Sequence, residues 1–251
     1  MTRTQNPILA VAGTKGGTGK STIAVHLASA LGTKGAPAVL VDADPQFATS
    51  GWLLPTLPPD LNLALDLERA RPMRSTPAPL VPTVRVVPGD IELAGWDMTF
   101  ERTRDTLPAV LKATPDTGPV VVDLPPTWGA LLAGTLLTVD AVVVVVEARE
   151  LGLAGLARLL DLVDQASEQN PNLALLGIIP SKVGRTRLAR DVVARLRERY
   201  RIVLPPVREA ACIAELPGRG VTLWETSIDH GVRNDMTALV RAVRRKLKGA
   251  K

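Results

Sequence analysis

A chain of 251 residues with 46% hydrophobic and 22% charged side chains has the make-up of one large globular domain, and residues 1–251 are read as such. One cysteine, Cys212, excludes an intrachain disulfide and any Cys-x-x-Cys cluster, and no apolar run approaches the roughly 20 residues that cross a bilayer. The net charge of +5 conceals a division: residues 1–180 carry 13 basic and 18 acidic side chains, whereas residues 181–251 carry 17 and 7, which marks the last third as a candidate polyanion surface.

The first seven residues lead into an apolar strand without the long apolar region of a secretory leader. Short β-branched runs then alternate with helical stretches. Strands are predicted at 8–12, 38–42, 84–87, 120–123, 141–146, 175–179 and 202–204. Helices are predicted at 20–31, 102–112, 129–137, 151–168, 188–200 and 235–248. This order predicts an α/β fold, doubly wound, with a mostly parallel sheet flanked by helices. The proline-rich stretch 71–82 reads as a surface loop, because the alternation resumes after it.

The first strand runs into Gly13-Thr14-Lys15-Gly16-Gly17-Thr18-Gly19-Lys20-Ser21-Thr22 and then a helix. Strand, glycine-rich turn and helix in that order place backbone N–H groups and a helix N-terminus around a phosphate. Lys20 is expected to reach the β/γ oxygens of ATP, and the Ser21 hydroxyl to sit on Mg²⁺. Gly16, Gly17 and Gly19 permit close backbone approach and positive φ. Thr14 stands where the strict spacing has glycine, and Lys15 is an additional lysine. Asp123 ends a buried strand, suited to holding a Mg²⁺-bound water, while Asp44 sits just past its strand, where a carboxylate orients the attacking water; Ser21, Asp44 and Asp123 are the candidate residues of the Mg²⁺ site. Asp42 is expected to support the site from behind; a pair of strand-end caps is the alternative for Asp42 and Asp44. No Asn-Lys-x-Asp guanine motif occurs, since residues 180–183 are Pro-Ser-Lys-Val. Adenine is favoured, with base contacts expected from residues 181–183, Lys182 among them, and from the Pro205-Pro206 turn.

Lys15-Gly16-Gly17-Thr18-Gly19-Lys20-Ser21 resembles the deviant Walker A motif of the ParA/MinD family. The resemblance continues in Asp42-Ala43-Asp44-Pro45-Gln46, in Asp123-Leu124-Pro125-Pro126, around residues 147–156 and at Gly184-Arg185-Thr186, covering residues 8 to about 220. It implies a Mg²⁺-dependent ATPase of the ParA type, in the short form without an N-terminal helix-turn-helix. Lys15 matches the signature lysine that reaches the partner subunit's nucleotide, so an ATP-dependent homodimer is expected. Asp44 matches the hydrolytic aspartate. The implied partners are nonspecific duplex DNA and a ParB-like centromere-binding or cargo-adaptor protein that stimulates hydrolysis. The implied location is cytoplasmic, on the nucleoid.

Candidate DNA contacts are Arg187, Arg208, Arg219, Arg241, Arg244, Arg245 and Lys248. The arginine-to-glutamate spacing after Arg208 is about two residues longer than the family's usual form. Basic side chains without interleaved aromatics suit phosphate contact rather than base stacking. Three rivals stand beside this: a positioning ATPase for a protein cargo such as carboxysomes or chemoreceptor clusters, using the same DNA-bound switch; a MinD-like membrane-associated regulator; and a metabolic or redox member of the superfamily. The last predicted helix carries no aromatic on its apolar face, which favours DNA over lipid. A lone cysteine excludes the iron–sulfur branch, and Tyr200 as the sole tyrosine excludes a tyrosine autokinase.

Overall fold

The computed structural model describes residues 6–113, 118–227 and 230–249. Its strands are β1 (Ile8–Gly13), β2 (Ala38–Asp42), β3 (Thr76–Pro77), β4 (Val84–Val87), β5 (Val120–Asp123), β6 (Ala141–Glu147) and β7 (Ala174–Ser181), joined in one sheet in the order β3-β4-β2-β5-β1-β6-β7. All neighbours are parallel except the short β3–β4 pair. The β-branched residues that predicted the strands are fully buried along β2, β5 and most of β6, as a sheet covered on both faces requires.

Alternate residues of β1 supply the two cores. Ile8, Ala10 and Ala12 pack with side chains of α3 (Leu63–Glu68), α4 (Leu93–Asp97), α5 (Phe100–Lys112), α6 (Ala130–Leu136), α7 (Leu156–Gln169) and α8 (Arg187–Arg199). Leu9 and Val11 pack with α1 (Lys20–Leu31), α2 (Ala48–Leu53), α9 (Ala211–Arg219) and α10 (His230–Gly249). The two arginine-rich helices, α8 and α10, therefore lie on opposite faces of the sheet.

Three expectations are corrected. Residues 202–204 do not form a strand; they give one isolated bridge, Ile178 to Val203, before Pro205 and Pro206 remove the next N–H donors. The helix expected at 151–168 begins as a 3₁₀ turn (Glu150–Leu153) and restarts at Leu156 after Gly155, whose φ is +82°. The proline-rich stretch is not merely a surface loop: it contributes β3 and buries Met73, Ala78 and Val81. Asp66 holds its start in place, accepting hydrogen bonds from the side chains of Arg71 and Arg74 at 2.8 and 2.9 Å.

α10 is amphipathic, and its apolar face is used inside the molecule. Val232, Met236, Leu239, Val240, Val243 and Leu247 are all buried in the second core. α10 therefore cannot present this face to a bilayer without leaving the second core. No helix among the described residues is long and apolar enough to cross a membrane.

Candidate active site

β1 delivers the glycine-rich loop to the centre of the sheet. A Cβ on Gly13 would meet the Val145 carbonyl at 2.8 Å and the Lys20 stem at 3.0 Å, so glycine is needed for Lys20 to cross the strand end. Gly17 and Gly19 take φ of +76° and +89°, a conformation glycine adopts without a Cβ penalty. Thr18 and Lys20 are buried, Ser21 and Thr22 half-buried, and Lys15, Gly16 and Gly17 exposed. The Lys15 carbonyl accepts from Thr18 Oγ1 at 3.3 Å and from Lys20 Nζ at 3.4 Å, folding the loop over its own base. Among the described residues, no backbone N–H from Gly16 to Thr22 makes a hydrogen bond; the first N–H engaged after the loop is Ile23, with Gly19 O at 2.9 Å. Such a run of donors at the start of a 12-residue helix has the geometry that suits an anion.

Two neighbouring strands bring carboxylates beside it. Asp42 and Asp123 are register partners at the ends of β2 and β5, and Asp123 also pairs with Val11 of β1. Asp123 is completely buried, and neither of its oxygens has a well-formed hydrogen bond. Burial, then the charge of Asp42, pushes its carboxyl well above the usual range, with the Ser21 hydroxyl and the Lys20 ammonium nearby offsetting part of the rise. Burial likewise pulls the Lys20 ammonium below the usual lysine range, opposed by Asp123 and Asp44.

Asp42 is turned away into the scaffold. Its Oδ2 accepts from the Ser50 backbone N–H at 2.8 Å and hydroxyl at 2.6 Å, and its Oδ1 from the Asp44 N–H at 3.3 Å. Burial pushes its carboxyl up to about 6, partly offset by the Ser50 bonds. Ser50 also accepts from Gly89 N–H, tying β2, α2 and the turn after β4 together. Asp44, two residues on, is 8% exposed, and its Oδ1 accepts from the Gln46 N–H at 2.9 Å.

The residues present fit a hydrated divalent cation: Asp123 offers two buried oxygens without partners, next to the Ser21 hydroxyl. No group of three or more His, Cys, Asp or Glu among the described residues could hold a metal. One carboxylate and one hydroxyl leave the remaining coordination to water and phosphate oxygens, the donor set that suits Mg²⁺.

The two segments expected at the base lie side by side. Val183 N–H donates to Val207 O at 3.1 Å, Val207 N–H to Pro180 O at 2.9 Å, and Glu209 N–H to Val183 O at 3.1 Å. Between them Lys182 adopts a left-handed φ of +50°, and Lys182, Pro205 and Pro206 are half-buried. Val183 and Pro206 open onto a cleft of about 950 Å³ rimmed by Arg185, Arg190 and Cys212.

The candidate DNA contacts are not equivalent. Arg208 is held by Asp235 of α10 through a two-pronged pair at 2.6 and 2.9 Å, and Arg244 donates to the Ala30 carbonyl of α1. Arg187 lies 3.9 Å from Asp191. Arg219, Arg241, Arg245 and Lys248 are exposed, with no ion pair among the described residues. Sequence reasoning missed Ser50, which sits in an unpredicted helix, and missed the pairing of Arg208 with Asp235.

A family model described as AAA domain matches residues 6–175, more than half of the chain. The chromosome-partitioning ATPase Soj of Thermus thermophilus is 32% identical over 229 residues, covering 86% of each chain. The chain belongs to the ParA/Soj family of P-loop ATPases. The chromosome partitioning protein ParA of Caulobacter vibrioides is 29% identical over 250 residues, covering 87% of each chain. Among solved structures, cobyrinic acid a,c-diamide synthase of Mycobacterium smegmatis, with bound ADP and magnesium, superposes with a TM-score of 0.76 at 26% identity over 98% of this chain and 97% of that one. The AAA-domain match spans the phosphate loop, Asp44 and Asp123; α8 and α10 lie beyond its end.

Proposed function

We propose that this ParA/Soj-family chain acts as one Mg²⁺-dependent ATPase domain that dimerises on binding ATP, binds duplex DNA without sequence preference, and drives segregation of plasmid or chromosomal DNA. The observation that carries the reading is the unpartnered Asp123 carboxylate facing a loop of unengaged N–H donors, which suits Mg·ATP and nothing in the free protein. The names of the Caulobacter and Thermus relatives support partition as the task, and the Mycobacterium structure supports a magnesium–nucleotide pair.

Lys20, buried at the head of α1, neutralises the β/γ oxygens, while the N–H groups of Gly16 to Thr22 hold the phosphates. Bound through Ser21 and the Asp123 side of the site, Mg²⁺ would draw charge from the transferring phosphoryl group. Asp44 orients the attacking water, near enough to the same centre for its charge to act on Lys20. Asp42 holds the Asp44 corner in place. Lys182, Pro205 and Pro206 flank the adenine. Lys15, exposed at the loop tip, reaches the partner subunit's nucleotide and acts as a cation supplied in trans.

DNA is contacted by exposed cations on α10 and α8, and a ParB-like or cargo-adaptor protein stimulates hydrolysis and release. The protein works in the cytoplasm on the nucleoid. The membrane rival would need an α10 face that is already buried in the core. Light scattering and retention on unrelated DNA duplexes, each with and without Mg·ATP, test the scheme. An ATP-dependent dimer that alone retains DNA supports it; a monomer in ATP, or ATP-dependent capture by anionic vesicles with no DNA retention, refutes it.

A further inference from the structure

We infer that Ser181, at the end of β7, is a positioning residue that orients the Thr18–Gly19 peptide of the phosphate loop. Its hydroxyl lies 2.5 Å from Thr18 O and 3.1 Å from Val146 O, across 163 and 35 residues of sequence. A serine has one proton to give, and the shorter contact takes it. Ser181 is 3% exposed and Thr18 is fully buried, so the bond forms away from water.

The consequence follows from the planar trans peptide. The carbonyl of Thr18 and the N–H of Gly19 belong to one plane and point in opposite directions. Drawing the carbonyl inward toward β6 and β7 turns the Gly19 N–H outward, to the side where Gly16 and Gly17 are exposed. Thr18 O is also left out of the helical ladder, since the first bond of α1 runs from Ile23 N–H to Gly19 O. Without Ser181 this buried carbonyl has no acceptor role, and the peptide is free to rotate at Gly19, where φ of +89° already lies in glycine's permissive range. Ser181 opens directly into the left-handed turn at Lys182, so one corner of the chain sets both the phosphate loop and the segment beside the base.

This inference rests on the reading of residues 13–22 as the ATP phosphate loop. The decisive comparison measures affinity for Mg·ATP and for inorganic tripolyphosphate with Mg²⁺ in wild type, Ser181→Ala and Ser181→Thr. Ser181→Ala should weaken both ligands about tenfold, the worth of one buried hydrogen bond, and Ser181→Thr should restore both. The Gly19 amide resonance of the ligand-free protein should shift in Ser181→Ala and return in Ser181→Thr. A loss confined to ATP would make Ser181 a base contact and overturn the inference. Lowered melting temperature with unchanged tripolyphosphate affinity would reduce it to a structural bond and overturn it as well. If Ser181→Ala does not fold, Ser181→Cys, a weaker donor of similar size, should give an intermediate loss, and full affinity there refutes the idea. Wild-type protein that binds neither ligand sinks the ATPase reading itself, whereas wild-type binding with an indifferent Ser181→Ala sinks this inference alone.

Discussion

The strand ends around β1 and the outer faces of α8 and α10 both concentrate charge, and they hold it in opposite ways. At the strand ends Lys20, Asp42, Asp44 and Asp123 are all buried, within reach of one another's fields, and two of the carboxyls are pushed upward by burial. On α10, Arg241, Arg245 and Lys248 stand at i, i+4 and i+7 in full solvent. A charge in the first region has one position and a large energetic consequence; a charge in the second is one of several, screened and nearly interchangeable. The chemistry therefore belongs to named atoms in one region and to a surface sum in the other.

The largest effect should come from removing the buried cation. Lys20→Ala removes the buried cation that would meet the β/γ phosphates, a truncation typically worth about 2–5 kcal/mol of binding, so ATP affinity should fall about 100-fold or more in a calorimetric titration. Near-normal binding would mean the buried charges are not functionally linked.

The joint between the two regions comes next. His26 of α1 is fully buried; its ring bonds Thr22 O at 2.7 Å through Nδ1, and its Nε2 accepts the Leu223 N–H at 3.1 Å in the segment leading to α10. Burial lowers its pKa to about 4 from 6.5. The unfolded chain takes up the proton below pH 6.5 and the native protein only near 4, so stability is lost as pH falls through that window. The loss amounts to about 3 kcal/mol. Asp42, raised to about 6, acts in the opposite sense as pH falls below 6, because there the native state is the one that binds the proton. Urea midpoints of wild type and His26→Gln from pH 7 to 4 isolate the histidine, since the carboxylates cancel in the difference. A difference that does not change with pH would contradict its neutral burial.

Asp44→Ala should keep ATP affinity within about threefold but slow turnover about 100-fold, the usual contribution of a positioned base. Wild-type turnover would remove Asp44 from the water-positioning role. In that slow background, Lys15→Ala should abolish the ATP-dependent dimer expected by light scattering; a persistent dimer would make Lys15 an ordinary solvated loop residue. The smallest effects belong to the surface. Arg241→Glu, Arg245→Glu and Lys248→Glu together should weaken DNA binding about tenfold at moderate salt and flatten the log–log salt slope by roughly 0.9 per lost phosphate contact. Arg208→Ala, already paired with Asp235, should change it far less. Equal losses would erase the distinction between tied and free arginines.

How much of this was legible in the sequence follows from the range of the interactions involved. The strands of the parallel sheet were readable because burial on both faces leaves continuous β-branched runs such as those in β5 and β6. The phosphate loop was readable because its geometry is made by adjacent residues. The helices α2, α3, α4 and α9 were not, being only five to nine residues long. α2 starts from a left-handed Phe47 without a capping side chain, and α9 contains Pro217 and Gly218. The engagement of Asp42 by Ser50, of Thr18 by Ser181 and of Arg208 by Asp235 depends on which elements the fold brings together, and local spacing is silent on that.

The sheet's two margins bear on how copies of the chain meet. On one side β3 is two residues long, includes Pro77 and runs antiparallel to β4. On the other, Ile178 of β7 exchanges hydrogen bonds with Ile202 and Leu204, and Val183 bridges to Arg208, so the outer strand is already occupied by its own chain. Neither margin offers the long row of open donors and acceptors on which strands of separate molecules add to one another. Indefinite edge-to-edge growth by strand addition is therefore blocked at both margins.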